Sequence, residues 1–329
     1  MQSTTKDPLQ DVSHCSFMAT MAYAKNLTII SSIAQLKKAD CDSPIIGEGS
    51  NTLFSSEIVP SLYKISLLEK KYLGCIDNKH LIRFAAGENW NQCIEWCLNN
   101  NFFGLENLAL IPGSIGAAPV QNIGAYGREI SDFIDQVEYY DRENKTLKIL
   151  NKQQCCFAYR NSIFKSEQAK YWVITSITIA LPVAWQAHTT YQGLSDLDSD
   201  TLTPRDIFDK VVQLRQAKLP DPIQIPNLGS FFKNPIISSK ALDTIQKTHK
   251  EIPYWPANKH IKLSAAWLID QCHYKGFREG DAGVFEHHAL ILVNHGHAKG
   301  KDILNLAQQI QESVLLKYDV TLEIEPRIL

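Results

Sequence analysis

The chain has 329 residues, of which 44% are hydrophobic, and its 33 basic and 35 acidic residues leave a formal charge of -2. This length exceeds that of one typical domain and predicts two or three domains with sizeable cores. The chain contains no dense run of Lys and Arg, so the sequence does not indicate a nucleic-acid partner. The N-terminus has no signal-like pattern and the apolar stretches are too short for a bilayer, so we expect a soluble cytoplasmic protein without membrane insertion.

The eight cysteines do not follow a metal-binding pattern. Cys93 and Cys97 are one helical turn apart and Cys155 and Cys156 are adjacent, but there is no CxxC pair. A zinc site needs paired ligands at closer spacing. We therefore expect reduced, mostly buried thiols and no metal.

Segments with a period of 3.6 residues predict helices, and β-branched or alternating segments predict strands. In the first half of the chain these are a strand over 27–30, a helix over 33–38 capped by Ser31 or Ser32, a buried strand with a glycine-rich turn and the start of another element over 43–54, a strand over 81–86, a helix capped by Asn89, and a hairpin of 136–140 with 146–150. In the second half they are a strand over 171–181, a helix starting at Pro204, a helix over 264–274 stopped by Gly276, a buried strand over 290–293, a last helix through Ile303 and Val314, and an alternating strand over 320–329. Helices and strands that are segregated in this way indicate an α+β fold.

Two glycine-rich segments could hold a cofactor. The first, GEGSN at residues 47–51, follows an apolar segment; glycines let backbone N–H groups approach an oxyanion, although a tight surface turn would look the same. The second, residues 110–127, contains four Gly, three Ala and two Pro but no charge. Small uncharged residues of this kind suit a wall against a flat, phosphate-bearing ligand, with a structural crossover as the alternative.

Three further segments could carry chemistry. Ser230 follows a glycine and precedes two aromatics, with no evident base nearby, so its hydroxyl could protonate a strongly basic carbon or simply form a turn. Arg160 lies among aromatic residues, where its partner could be a structural acid or a ligand carboxylate. The last ten residues alternate, which places Glu323 and Glu325 on one face of a half-buried strand or of a solvated edge.

Together these segments resemble the UDP-N-acetylenolpyruvoylglucosamine reductase family, in its subgroup with a tyrosine loop. The matching blocks, in the family's order, are GEGSN, IPGSIGAAPVQNIGAYG, YRNSIFK, the YQGL loop, KLPDP, GSFFKNP, KLSAAWLIDQC and the final strand. The resemblance implies that FAD, reduced by NADPH, passes a hydride to the enolpyruvyl ether of a UDP-amino sugar. The product would be UDP-N-acetylmuramate, a peptidoglycan precursor.

The resemblance also implies a vanillyl-alcohol-oxidase-type, two-part FAD-binding fold followed by an α+β substrate domain. The expected parts are a first FAD-binding subdomain at 1–68, a second at 69–218 with the tyrosine loop at 184–200, a substrate domain at 219–319 and a catalytic strand at 320–329. The implied catalytic set is Arg160, Ser230 and Glu325. The implied contacts to the substrate's diphosphate or uridine are Tyr191, Lys218 and Asn234. The residues expected to line FAD are Gly47, Gly49, Ser50, Asn51, Pro112, Gly113, Ser114, Gly116, Ala117, Gln121, Asn122, Gly124, Ala125 and Gly127.

The sequence departs from the family at two of these places. The family's last strand usually reads LEPEVR, whereas here Pro326 follows Glu325, so Glu323 is the alternative acid. His288 stands where the family commonly has Gln. Two other functions fit the same segments: an oxidase of this fold that uses oxygen on an alcohol, and a flavin- or nucleotide-sugar-binding protein without turnover.

Overall fold

The structure is a computed structural model that describes residues 8–197 and 201–329. The last three residues of the predicted tyrosine loop and the first seven of the predicted first subdomain lie outside this range. The helices are α1 Ile33–Leu36, α2 Trp90–Asn99, α3 Pro204–Lys218, α4 Ser239–Gln246, α5 Ala265–Gln271 and α6 Gly300–Tyr318. The strands are β1 Gln10–Asp11, β2 Tyr23–Ile30, β3 Ile45–Ile46, β4 Thr52–Leu53, β5 Ile58–Ile65, β6 Lys70–Ile76, β7 Lys79–Ala85, β8 Gly124–Ala125, β9 Arg128–Glu129, β10 Ile134–Asp141, β11 Thr146–Asn151, β12 Trp172–Pro182, β13 Asn227–Ser230, β14 Ile236–Ile237, β15 Tyr254–Ala257, β16 His260–Leu263, β17 Arg278–Glu279, β18 Ala282–Val284, β19 Ile291–Asn294 and β20 Arg327–Ile328.

Local signals placed several of these elements correctly, whereas β5, β6 and α4 were not predicted. The Ser32 side chain accepts a hydrogen bond from the Gln35 N–H and caps α1. Asn89 caps α2 in the same way, and the predicted inner face of that helix is buried. Helix α3 begins at Pro204. Proline has no backbone N–H, but the first residue of a helix does not need one, because its N–H would have no acceptor within the helix. The predicted hairpin is the antiparallel pair β10–β11.

The chain divides into two compact units. Among the described residues, unit 1 contains 8–25, 49–59 and 218–329, and unit 2 contains 26–48, 60–197 and 201–217. The predicted boundary at 68/69 lies within unit 2, and the predicted boundary at 218/219 lies one residue from a boundary between the units. The predicted division into FAD-binding and substrate parts stays a prediction in its details.

Unit 2 is built on an antiparallel sheet with strand order β11-β10-β12-β7-β6. Helix α2 supplies Trp90, Cys93, Ile94 and Cys97 to the core of this unit, where each is 1% exposed. Strand β3 pairs in parallel with β5, so that the chain leaves this pairing at Gly47. The first glycine-rich segment therefore starts at the end of a buried strand, as the sequence predicted.

Unit 1 has a separate core. A sheet of order β13-β19-β18-β17 packs with α6, which buries Ile303, Leu306, Ala307 and Ile310. A second sheet has the order β14-β16-β15, and β20 pairs in parallel with β4. Strand β13 ends at Ser230, so the sheet fixes the backbone of the predicted proton donor.

The prediction of one continuous strand over 320–329 is wrong. Residues 323–325 bond to 231–233, through Lys233 N–H to Glu323 O and Glu325 N–H to Phe231 O, both at 2.9 Å. The chain then changes partner after Pro326, and β20 pairs with β4. Proline has no N–H to continue the first ladder, which explains the break. Val320 and Leu322 are buried as the alternation predicted.

The predicted stop of the helix over 264–274 is also misplaced. Helix α5 ends at Gln271, and His273 adopts a left-handed backbone with φ of 63° before Gly276 is reached. The N-terminal end is correct, because the Ser264 side chain accepts from the Trp267 N–H. Boundaries at helix C-termini depend on backbone geometry that glycine favours but does not require.

Candidate functional site

The two predicted cofactor loops meet in unit 2. A Cβ on Gly47 would collide with the Ser114 Oγ, so a side chain at this position would have to displace the serine hydroxyl. Asn89 Nδ2 donates to both carboxylate oxygens of Glu48, at 2.9 and 3.2 Å, while Asn89 also forms a backbone bridge with Ser114. The same asparagine caps α2 with its Oδ1. One residue thus fixes a helix start and both loops.

The turn that carries Arg160 is fastened to the second glycine-rich loop. Arg160 Nη2 donates to the Gly124 carbonyl at 2.9 Å, and Ser162 Oγ donates to the Val120 carbonyl at 2.7 Å. Asn122 Nδ2 donates to the Ala158 carbonyl at 3.1 Å. The structure therefore brings the predicted catalytic arginine together with a predicted FAD-lining segment.

The side chain of Asn122 is buried and hydrogen-bonded within the protein, so it is not placed as a ligand contact. It is 1% exposed, its Nδ2 also donates to Glu129 Oε2 at 2.7 Å, and its Oδ1 accepts from the Ser131 N–H at 3.1 Å. These bonds engage both ends of the amide within the protein. Any contact of Asn122 with a cofactor would come from its backbone, which is in the left-handed region with φ of 46°.

Tyr191 lies beside a cationic cluster in unit 2. Its ring makes an edge contact with the ring of Tyr126, with 5.2 Å between centroids. Burial lowers the pKa of Arg215, which interacts with Tyr126 and with the Arg160 cation. The Arg215 Nε is buried without a hydrogen-bond partner, and within residues 8–197 and 201–329 no acid contributes to its electrostatics. Two guanidinium groups and two tyrosines suit an anionic ligand.

Sequence reasoning missed Tyr126 and Arg215 as members of this cluster. Arg215 lies near the C-terminal end of α3, where cations are common, so its place in the sequence alone indicates no further role. Its position three residues before Lys218, which is predicted to contact the substrate, was the available signal. Residues three apart share a helix face, and both lie in α3.

Unit 1 brings Ser230 and Glu325 together. The Glu325 N–H donates to the carbonyl of Phe231, the residue after Ser230, at 2.9 Å. Asn51, which is predicted to line FAD, donates its Nδ2 to the Glu325 carbonyl at 3.4 Å and accepts the Arg327 N–H at 2.9 Å. Ser230 is exposed and Glu325 is half-buried. The predicted proton donor and acid are therefore held on neighbouring backbone segments.

Glu323 has a partner of its own. Its carboxylate forms an ion pair with Lys233, and its side chain is 71% exposed. The carboxylate of Glu323 is thus engaged by a cation of the protein itself. Glu325 is thus the better candidate for the acid, although proline has changed place beside it.

His288 and Lys218 are electrostatic neighbours in unit 1. The Leu290 N–H donates to His288 Nδ1 at 3.3 Å, so the neutral ring carries its proton on Nε2 and can donate from there. Burial, followed by the Lys218 cation, lowers the pKa of His288. Asn234 accepts the N–H of Ala265, the first residue of α5, at 3.0 Å, which fixes the orientation of its amide. An Nε2–H donor can take the place of an amide donor.

Two further properties describe the chain as a whole. None of the helices in the described ranges has the length and apolar character needed to cross a bilayer. Within those same ranges no three His, Cys, Asp or Glu side chains are grouped so as to hold a metal ion.

Comparisons with known proteins agree with this arrangement. A family model described as an FAD binding domain matches residues 21–149, and one described as the C-terminal domain of UDP-N-acetylenolpyruvoylglucosamine reductase matches residues 221–329. The UDP-N-acetylenolpyruvoylglucosamine reductase of Pseudoalteromonas translucida is 43% identical over 303 residues, which are 91% of this chain and 89% of that protein. The reductase of Aliivibrio fischeri is 43% identical over 291 residues, which are 88% of this chain and 83% of that protein.

The fold is found in a solved structure. The crystal structure of the UDP-N-acetylenolpyruvylglucosamine reductase of Thermus caldophilus matches with a TM-score of 0.70 and 21% identity, over 98% of both chains. These matches confirm the predicted α+β class, with an FAD-binding part followed by a second domain. The chain therefore belongs to the UDP-N-acetylenolpyruvoylglucosamine reductase family.

Proposed function

We propose that this chain is an FAD-dependent oxidoreductase that uses NADPH to reduce UDP-N-acetylglucosamine enolpyruvate to UDP-N-acetylmuramate for peptidoglycan synthesis. The observation that carries the assignment of roles is the 2.9 Å bond from the Glu325 N–H to the Phe231 carbonyl, which holds the acid beside the Ser230 backbone. A protein that only bound flavin or nucleotide sugar would have no use for a paired acid and hydroxyl. The preference for NADPH over NADH, and the cytoplasmic location, rest on the family.

The glycine-rich loops of unit 2 fit FAD. The contact of Gly47 with Ser114, and a Cβ position on Gly116 only 2.6 Å from Ala86 Cβ, leave no space for larger side chains between the loops and the sheet. Small residues leave the backbone open to the ring and the diphosphate of a dinucleotide. The residues that would hold FAD in unit 2 are therefore 47–48 and the loop from Pro112 to Gly127.

The chemistry that FAD supplies when bound is hydride transfer from NADPH to the enolpyruvyl double bond. Arg160 stabilises the negative charge that collects on the substrate carboxylate and the adjacent carbon. One preorganised donor of this kind is worth about 3–4 kcal/mol at the barrier. Protonated Glu325 donates a second hydrogen bond to the carboxylate. Ser230 gives its proton to the carbanionic carbon, so that one hydride and one proton add across the double bond, and the serine is reprotonated from solvent.

The cationic cluster supports an anionic substrate. Among the residues that the structure describes, the buried Nε of Arg215 has no hydrogen-bond partner, and Arg160 is near enough to influence the charge of Arg215. Leaving a guanidinium partly desolvated without an acid is costly, and an anionic ligand relieves that cost on binding. The enolpyruvyl carboxylate and the diphosphate of the substrate are both suitable anions.

The experiment is a two-step colour test. The purified protein should be yellow, lose its colour with NADPH, and regain it anaerobically when the UDP-enolpyruvyl sugar is added. Fast reoxidation by air combined with indifference to NADPH would instead identify an oxidase, and bound flavin without bleaching would identify a binding protein.

The same test examines the role of Ser230. The Ser230→Ala variant should be reduced by NADPH at nearly the wild-type rate, while recovery of colour with the sugar slows by a factor of about 100 or more. Equal losses in both steps would contradict the role of Ser230 as proton donor.

A further inference from the structure

The short 3-10 helix Glu106–Leu108 links the second glycine-rich loop to the tyrosine loop. Asn107 is 2% exposed, and its Nδ2 donates to the Tyr126 carbonyl at 3.0 Å and to the His188 carbonyl at 2.8 Å. A side-chain amide has two N–H donors, and here each serves a different loop. One buried side chain therefore joins the segment predicted to line FAD to the segment that carries Tyr191.

A second contact between the loops is independent of Asn107. Gly127 has φ of +81°, and a Cβ there would lie 2.8 Å from the ring Nε2 of His188. Tyr126, the residue before Gly127, also contacts the tyrosine loop, through its ring and that of Tyr191. The His188 ring thus occupies space that only a glycine provides, and its backbone is bonded to Asn107 from another direction.

The start of the tyrosine loop is also bonded to Glu106 and lies beside a cavity. Glu106 accepts from the Gly104 N–H at 2.8 Å and from the Trp185 side chain. A cavity of about 210 Å³ lies beside these residues, and Gln186 is among those that line it. Apolar packing anchors the loop at Trp185, which packs on the core of unit 2, and at Leu194, which is 0% exposed. The hydrogen bonds of Asn107 therefore act on the segment between these two anchors.

We propose that Asn107 is a positioning residue that fixes the tyrosine loop on the glycine-rich loop and so sets where Tyr191 meets the nucleotide sugar. The part of this proposal that concerns the substrate rests on the proposed function. Asn107 touches neither the substrate nor the reacting atoms in this assignment, and it acts through His188 and Tyr191. Loss of its two donors should free the loop without removing the cofactor.

The test compares Asn107→Leu with the wild type. Leucine branches at the same atom as asparagine but has no donors, so amide hydrogen exchange at Leu194, whose N–H bonds to the Tyr191 carbonyl, should accelerate on the order of tenfold. KM for the UDP-enolpyruvyl sugar should rise by a similar factor, while FAD stays bound. Asn107→Ser, which is too short to reach both carbonyls, gives the same readout if the leucine variant does not fold.

Two controls separate positioning from general stability. Asn294→Leu removes a buried amide from unit 1, where Nδ2 donates to the Met18 carbonyl at 3.1 Å, and should lower the melting temperature without changing exchange at Leu194. His188→Ala keeps the backbone carbonyl that Asn107 bonds, so its effect should be smaller than that of Asn107→Leu.

Two outcomes count against different conclusions. Unchanged exchange at Leu194 in Asn107→Leu would overturn the positioning proposal, whatever the turnover. Absence of turnover in the wild type would overturn the proposed function, while the exchange experiment would still report on Asn107.

Discussion

Glu323 and Glu325 should respond very differently to substitution, although they are two residues apart. The Glu323 side chain is 71% exposed and forms an ion pair with Lys233. Exposed ion pairs are worth about 0–1 kcal/mol, so Glu323→Gln should change kcat/KM by no more than about fivefold. Glu325 is half-buried, and its backbone is bonded to both Phe231 and Asn51. If it donates to the substrate carboxylate, Glu325→Ala should lower kcat by a factor of about 100–1000.

The assay that distinguishes them is a single turnover. The enzyme is reduced with NADPH, mixed anaerobically with the UDP-enolpyruvyl sugar, and followed by the return of flavin absorbance. Reduction by NADPH serves as the internal control and should be nearly unchanged in both variants. Glu325→Gln, which keeps a donor and the same shape, should lose less than Glu325→Ala. A large loss in Glu323→Gln together with a small loss in Glu325→Ala would refute the assignment and make Glu323 the acid.

Three further predictions concern binding and stability. Burial lowers the pKa of His288, so the folded state binds fewer protons than the unfolded state below about pH 6.5. The free energy of unfolding of the wild type should therefore fall as the pH drops below that value. The His288→Gln variant should lose less stability over the same range, as measured by denaturant unfolding between pH 5 and 7. Arg215→Met should keep or raise the melting temperature, because a desolvated cation is removed, while KM for the nucleotide sugar rises about tenfold or more; an unchanged KM would exclude Arg215 from the anion site. Gly47→Ala should lose FAD on gel filtration, because its Cβ would meet the Ser114 Oγ at 2.2 Å, and the double variant with Ser114→Ala should regain part of it; a double variant no better than Gly47→Ala would refute the steric explanation.

Elements with strong local signals were predictable from the sequence. Asn89 has a side chain that caps the following helix, and Pro204 has a fixed φ that suits a helix start, so neither depends on distant residues. The final strand was not predictable in the same way. Alternation indicates which side chains are buried but not which strand they pair with, and the change of partner after Pro326 depends on two segments far away in the sequence.

The site was predictable to the extent that its residues lie in recognisable motifs. Ser230, Arg160 and the glycine-rich loops have distinctive neighbours along the chain. Asn107 and Arg215 do not. The side chain of Asn107 bonds to His188, which is 81 positions along the chain, and the environment of Arg215 comes from Tyr126 and Arg160. Residues whose function depends on tertiary neighbours leave little trace in local sequence.

The backbone of Arg160 explains why its turn is so heavily attached. Arg160 has φ of +51°, a left-handed conformation in which the Cβ of any residue other than glycine crowds the backbone. Strain of this kind is worth about 1–3 kcal/mol and persists only where the surroundings enforce it. Here the Ser162 side chain, on the turn, donates to the glycine-rich loop, and the Asn122 side chain, on that loop, donates to the turn. The Arg160 side chain also donates to the Gly124 carbonyl. Because hydrogen bonds of about 1 kcal/mol each offset strain of that size, the loop that is proposed to hold FAD also stabilises the left-handed backbone of Arg160, the residue proposed to stabilise charge on the substrate.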